Sequence, residues 1–172
     1  MRGAGPSRSG RNRVGEEDVG ALPFRKEKDL MSRAKEIARA YSIEGEVDFQ
    51  ISRILYQNGF YSRCIFFAQQ AAEKIMKACL ALKEIYITDH NLSSVFSNVY
   101  RNEIQELDEI LRAVAELERH GMRARFPLYH RPSLPIWIPS REYKESDAMK
   151  SLTCSEVIFN RLKHFLDERL QP

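Results

Sequence analysis

The sequence predicts an all-α fold: an up-and-down four-helix bundle with an additional short helix and a long Pro-rich loop before the last helix. Three observations carry this. Apolar residues recur at steps of three and four through most of the 172-residue chain. No segment alternates with a period of two, and no strand–helix–strand rhythm occurs. Pro127, Pro132, Pro135 and Pro139 gather in one stretch, which breaks helical structure there and leaves the flanking segments free to be helical.

The elements follow in order. Residues 1–22 are rich in Gly, Arg and Ser, with Gly3, Gly5, Gly10, Gly15 and Gly20 among them, and read as a disordered tail. Residues 23–172 read as one helical domain. From about Lys26, Leu30, Ala34, Ile37, Ala38, Tyr41, Val47, Ile51, Ile54 and Leu55 form the inward stripe of a first helix, which Gly45 bends or divides. Asn58-Gly59 stops it.

A second helix spans about Tyr61 to Glu84, with Cys64, Ile65, Ala68, Ala71, Ala72, Ile75 and Cys79 on one face. Thr88 or Asp89 caps a third, which starts near His90 and points Leu92, Val95, Phe96 and Val99 inward. A fourth runs from Asn102 to about His120, where Gly121 ends it. Residues 122–143 form an irregular connection that holds the single tryptophan, Trp137. The last helix runs from about Ser146 to Arg169 and buries Leu152, Ser155, Phe159 and Leu162.

Composition narrows the class of protein. Charged and apolar fractions are those of a globular chain, and no run reaches the roughly 18 apolar residues of a membrane span. No secretory leader is legible at the N-terminus, so a cytoplasmic location is expected. Cys64, Cys79 and Cys154 fall at apolar helical positions without Cys-x-x-Cys spacing, and read as small buried hydrophobes. The four histidines show no metal-ligand spacing, and no phosphate-cradling glycine loop occurs, so neither a metal nor a cofactor is expected. The net charge of +3 is modest but unevenly spread. Arg2, Arg8, Arg11 and Arg13 form one acid-free cluster; Arg119, Arg123, Arg125 and Arg131 form another.

Beside the apolar stripe of the second helix runs a polar row, Gln69, Glu73 and Lys77, each four residues after the last. Such a row fits a solvated face or a polar seam against another helix. The segment Ala68-Gln69-Gln70-Ala71-Ala72-Glu73-Lys74, followed by Lys77, resembles the second helix of the HEPN domain family, named for higher eukaryotes and prokaryotes and for nucleotide binding. Asp48, Asp89-His90-Asn91-Leu92, Arg125-Phe126-Pro127, Tyr143 and Asp147-Ala148 follow in the family's order. The Arg-aromatic-Pro triplet is similar to that of a prokaryotic and archaeal branch. The resemblance covers roughly residues 28–168.

It implies a dimeric module that binds a nucleotide, RNA or a partner protein without catalysis, and that works with a small nucleotidyltransferase. The alternative it implies is a metal-independent ribonuclease, the toxin of a toxin–antitoxin pair, in which Arg125 and His130 form an Arg-x4-His pair. An imidazole can move the 2′-hydroxyl proton and a guanidinium can hold the phosphate. Asp48, Gln69, Glu73, Lys77, His90 and Arg123 complete the expected ligand-binding seam. The structural alternative for Arg125 is a pair with Glu73 or Asp48 across a helix interface. His120 and His164 read as exposed.

Overall fold

The computed structural model describes residues 27–90, 92–129 and 133–171. The expected tail over 1–22 and its arginine cluster lie outside them, as do His130 and Arg131. The helices are α1 (Glu27–Gln57), α2 (Tyr61–Ala81), α3 (Ser93–Tyr100), α4 (Leu107–Glu118), the short α5 (Pro139–Glu142) and α6 (Glu145–Leu170). A 3-10 turn, Gly121–Ala124, follows α4. Among the described residues the only extended pairing is an isolated antiparallel bridge between Leu128 and Trp137. The all-α expectation therefore holds. No helix among them is long and apolar enough to cross a membrane.

Helix α2 is the axis of the bundle, packed against α1 and α6 with α3 and α4 covering its second half. Its small residues set the spacing. Ala68, Ala71, Ala78 and Cys79 are fully buried, so neighbouring backbones approach closely. Gly45 shows how close. A β-carbon there would lie 3.3 Å from Lys74 Cβ and 3.4 Å from both the Ala71 carbonyl and a Phe159 ring carbon. Gly45 was expected to bend or divide α1; instead the helix runs through it unbroken, and the missing side chain lets three helices meet.

That contact also corrects part of the expected inward face of α1, although Ala34 and Ala38 are buried as expected. The buried positions are Ala34, Ala38, Ser42, Asp48, Phe49 and Ser52, whereas Leu30, Val47 and Ile54 are exposed. A helix seated this tightly turns its small residues inward, while Ile37, Ile51 and Leu55 stay half-buried at the edge of the contact. Other boundaries move less. Helix α3 starts at Ser93, a few residues after His90, because the Asp89 carboxylate accepts the His90 backbone N–H at 2.6 Å in a turn before it. Helix α4 starts at Leu107 instead of Asn102, after Glu106 adopts a left-handed φ of 58°. The connection before α6 is more ordered than expected, with the 3-10 turn, the bridge and α5 within it.

The main core joins Ile75, Leu80, Phe96, Tyr100, Ile110, Leu117, Ile158, Leu162 and Leu166. A smaller cluster of Cys64, Ile65, Ala124, Tyr143 and Ala148 holds the 3-10 turn and the start of α6 against α2, with Trp137 packed on it. The three cysteines are free, Cys64 and Cys79 buried and Cys154 half-buried. Burial pushes the Cys64 thiol up to about 12, so it behaves as an inert apolar group near neutral pH.

Candidate functional site

The polar row of α2 is buried, not solvated. Gln69 is 7% and Glu73 9% exposed. Glu73 gathers three donors. Lys77 Nζ lies 2.7 Å from Oε1, Gln70 Nε2 lies 3.4 Å from Oε2, and His90 Nδ1 lies 3.0 Å from both oxygens. The i, i+4 spacing brings Lys77 to Glu73, while the turn ahead of α3 carries His90 across from outside the helix. The Glu73 side chain is 9% accessible and that of Lys77 11%, but that of His90 is 60% accessible. His90 is thus held from below through Nδ1 and open above. A cavity of about 20 Å³, room for one water, lies among Gln69, Glu73, His90 and Glu118. The Gln69 side-chain amide oxygen, Oε1, is buried without a hydrogen-bond partner.

Asp48 does not join this group. Its carboxylate meets Lys74 Nζ at 2.6 Å, tying α1 to α2 on another side. Arg125 pairs with neither Glu73 nor Asp48, correcting that expectation. Its guanidinium sits 4.8 Å over the Phe66 ring, and its Nε is buried without a hydrogen-bond partner. Arg123 sits 4.2 Å over the Trp137 ring, and the Trp137 indole N–H donates to the Arg123 carbonyl at 3.0 Å. Arg63 Nη1 donates to the Arg125 carbonyl at 3.3 Å. No carboxylate among the described residues lies within ion-pair distance of Arg63, Arg123 or Arg125, whereas Arg119 pairs with Glu116 at 3.0 Å. An aromatic face orients a guanidinium without neutralising it, so Arg123 and Arg125 keep their own charges. Phe126 and Tyr129, 53% and 82% exposed, stand beside it.

His120 was expected on the surface and is instead buried at 7% exposure. The chain folds back through the 3-10 turn and lays its ring between two hydroxyls, Tyr143 Oη at 3.0 Å from Nδ1 and Ser151 Oγ at 3.3 Å from Nε2. Nothing in the local sequence marks this, because Tyr143 comes from the far end of the proline-rich connection and Ser151 from α6. Tyr143 in turn packs edge-on against Trp137 at 5.6 Å. The His120 to Trp137 chain therefore supports the Arg123 perch. It borders a cleft of about 180 Å³ lined also by Arg119, Glu142 and Asp147. A larger open groove of about 550 Å³, lined by Glu103, Gln105, Arg161, His164 and Arg169, contains none of the expected site residues. His164 is exposed, as expected. Among the described residues no three His, Cys, Asp or Glu side chains are arranged to hold a metal ion.

Burial, reinforced by the Arg119 charge, lowers the proton affinity of His120 below the ordinary 6.5 and outweighs the pull of Glu116 and Asp147. The sign follows. The fold favours the neutral ring, so its contribution is complete above 6.5 and is lost as pH falls through the depressed native value. His120→Gln is expected to flatten the fall in urea midpoint between about pH 7 and 5; an unchanged slope would contradict this.

The geometry defines an all-α module with an arginine-rich, aromatic-backed end and a carboxylate on its central helix met by a histidine from the turn before α3. The HEPN domain pattern matches residues 28–165, and the chain belongs to that family. It is 30% identical over 138 residues to the protein named "Putative toxin MJ1304" of Methanocaldococcus jannaschii, covering 77% of this chain and 90% of that one. The crystal structure of ST0689, an archaeal HEPN homologue, superposes with a TM-score of 0.58 at 24% identity, over 75% of this chain and 97% of the other. That of TT1696 from Thermus thermophilus gives 0.63 at 20% identity, over 74% and 96%.

Proposed function

We propose that this HEPN-domain protein binds single-stranded RNA through the arginine-rich end of its bundle. One observation carries the reading: Arg123 and Arg125 are positioned by aromatic rings and not by carboxylates. Their charge, carried at the guanidinium termini, remains unpaired and available to phosphate oxygens. The exposed Phe126 and Tyr129 beside them offer faces for unpaired bases, which a duplex would keep stacked inside. A free nucleotide would meet the same groups, and binding demands no chemistry of the site.

Anisotropy of a fluorescein-labelled single-stranded RNA oligonucleotide tests the reading. Arg123→Gln and Arg125→Gln should each weaken binding about tenfold and make the dependence on salt shallower by roughly one counterion. No binding at low salt, or full binding by both variants, would sink it.

Cleavage of the bound strand is the second reading, favoured by the toxin name of the M. jannaschii relative. The Arg125–His130 pair expected for it lies half outside the described residues. A homodimer and a nucleotidyltransferase partner remain proposals taken from the family resemblance, and sedimentation of the purified chain checks the first.

A further inference from the structure

We propose that the outward face of α1 is the surface on which two copies of this chain meet, as an antiparallel pair of helices about a two-fold axis. This deepens the homodimer reading and rests on it, and it is independent of RNA binding. The buried face of α1 centres on Ala38, Gly45 and Ser52. Directly opposite, at alternating steps of three and four, stand Ala40, Ile43, Val47, Gln50 and Ile54. All five are exposed, and Ile43, Val47 and Ile54 are 62%, 45% and 57% accessible. The bundle makes no use of them, since α1 meets α2 and α6 on its other side. A stripe of that period is the seam of a two-stranded coiled coil, narrower than the face a helix buries in its own bundle. Because Gly45 seats α1 closely on α2, the seam rides on a fixed element.

Charge selects the occupant and its direction. Glu46 and Arg53 flank the seam on one side, two turns apart. Among the described residues neither has an ion-pair partner. Their neighbours do: Arg33 is held by Glu36 at 3.0 Å, and Arg39 donates to the Leu170 carbonyl at 2.7 Å. Laid antiparallel on a second copy, with the axis midway between Val47 and Gln50, the seam matches itself. Ile43 of one copy meets Ile54 of the other, Val47 meets Gln50, and Glu46 comes beside Arg53, each contact twice. A parallel pairing leaves Glu46 and Arg53 unmatched and draws on Arg39 and Glu44, the second already 3.9 Å from Lys74.

The two kinds of contact do different work. Surface ion pairs add little affinity, so the apolar layers hold the dimer and the charges choose its direction. Gln50 is the single polar layer, the kind of residue that fixes one register. From Ala40 to Ile54 the seam is about 21 Å long by helical rise. That is a small interface, and the dimer it forms is a weak, micromolar one.

Sedimentation of the full chain over roughly 1–200 μM, at low salt, tests the pairing. Wild type should pass from monomer to dimer in that range. Ile43→Asp should weaken the dimer at least about 100-fold, with its urea midpoint showing that the fold is kept. Glu46→Lys and Arg53→Glu should each weaken it about tenfold, because the two-fold axis counts each reversal twice. Mixing those two variants, or combining them in one chain, should restore the wild-type dimer, and a parallel pairing cannot produce that rescue. A dimer unmoved by Ile43→Asp and by both reversals overturns this face and leaves the homodimer standing. Loss of the dimer in Ile43→Asp without rescue by the mixed reversals overturns the antiparallel pairing. A monomer throughout overturns the homodimer and this face together, and RNA anisotropy is unaffected by either result.

Discussion

Glu73→Ala is expected to lower the stability of the fold by about 3 kcal/mol, the low end of the cost of breaking a buried ion pair. The reasoning lies in what remains behind. Lys77, with 11% of its side chain accessible, loses its 2.7 Å partner and keeps its charge beside the core helix. Its long stem lets the ammonium reach toward water, which is why the low end applies. Glu73→Gln should cost less, about 1–2 kcal/mol, because the amide oxygen still accepts while the charge is gone. Urea denaturation at neutral pH measures both. A loss under about 1 kcal/mol for the alanine variant would mean that water already reaches the pair as it does on a surface.

The second helix was legible because it is buried nearly all round, so its apolar and small residues declare themselves by spacing alone. Spacing also isolated Gln69, Glu73 and Lys77, but a row at i, i+4 reads identically whether solvated or covered. What covers it is the turn that brings His90 over Glu73, a contact 17 residues distant in the chain. Arg125 illustrates the other limit. A sequence with many carboxylates invites an ion pair, and the choice of the Phe66 ring instead depends on how the 3-10 turn docks on α2. Asp48 has its own cation in Lys74, a neighbour set by the crossing of α1 and α2. His120 was misplaced for the same reason: the end of a helix before Gly121 looks exposed until α6 and Tyr143 return over it. For α1, Ala34, Ala38, Tyr41 and Leu55 lie on or beside the inward face as expected, but Leu30, Val47 and Ile54 do not, because the closest helix contact is made by what is absent at Gly45.

That close contact yields a coupled pair of expected losses. Phe159 is 5% exposed and stacks on Phe49 with ring centroids 5.3 Å apart, so Phe159→Ala should cost about 3–5 kcal/mol in transfer and cavity terms. Gly45→Val should cost about 1–3 kcal/mol by overpacking, with any gain in helix propensity overridden by atoms at 3.3–3.4 Å. The two sites share space, because one of the atoms that a Gly45 side chain meets is Phe159 Cε2. Removing that ring opens room for the valine methyls, so the double variant should lose less than the sum of the singles. A coupling of about 0.5 kcal/mol or more toward stability is the expected size for residues in contact. Urea midpoints of the four proteins give it directly. Strict additivity would mean that the valine is resisted by the Ala71 carbonyl and Lys74 alone, and that the junction of α1, α2 and α6 is held rigid by backbone and not by the ring.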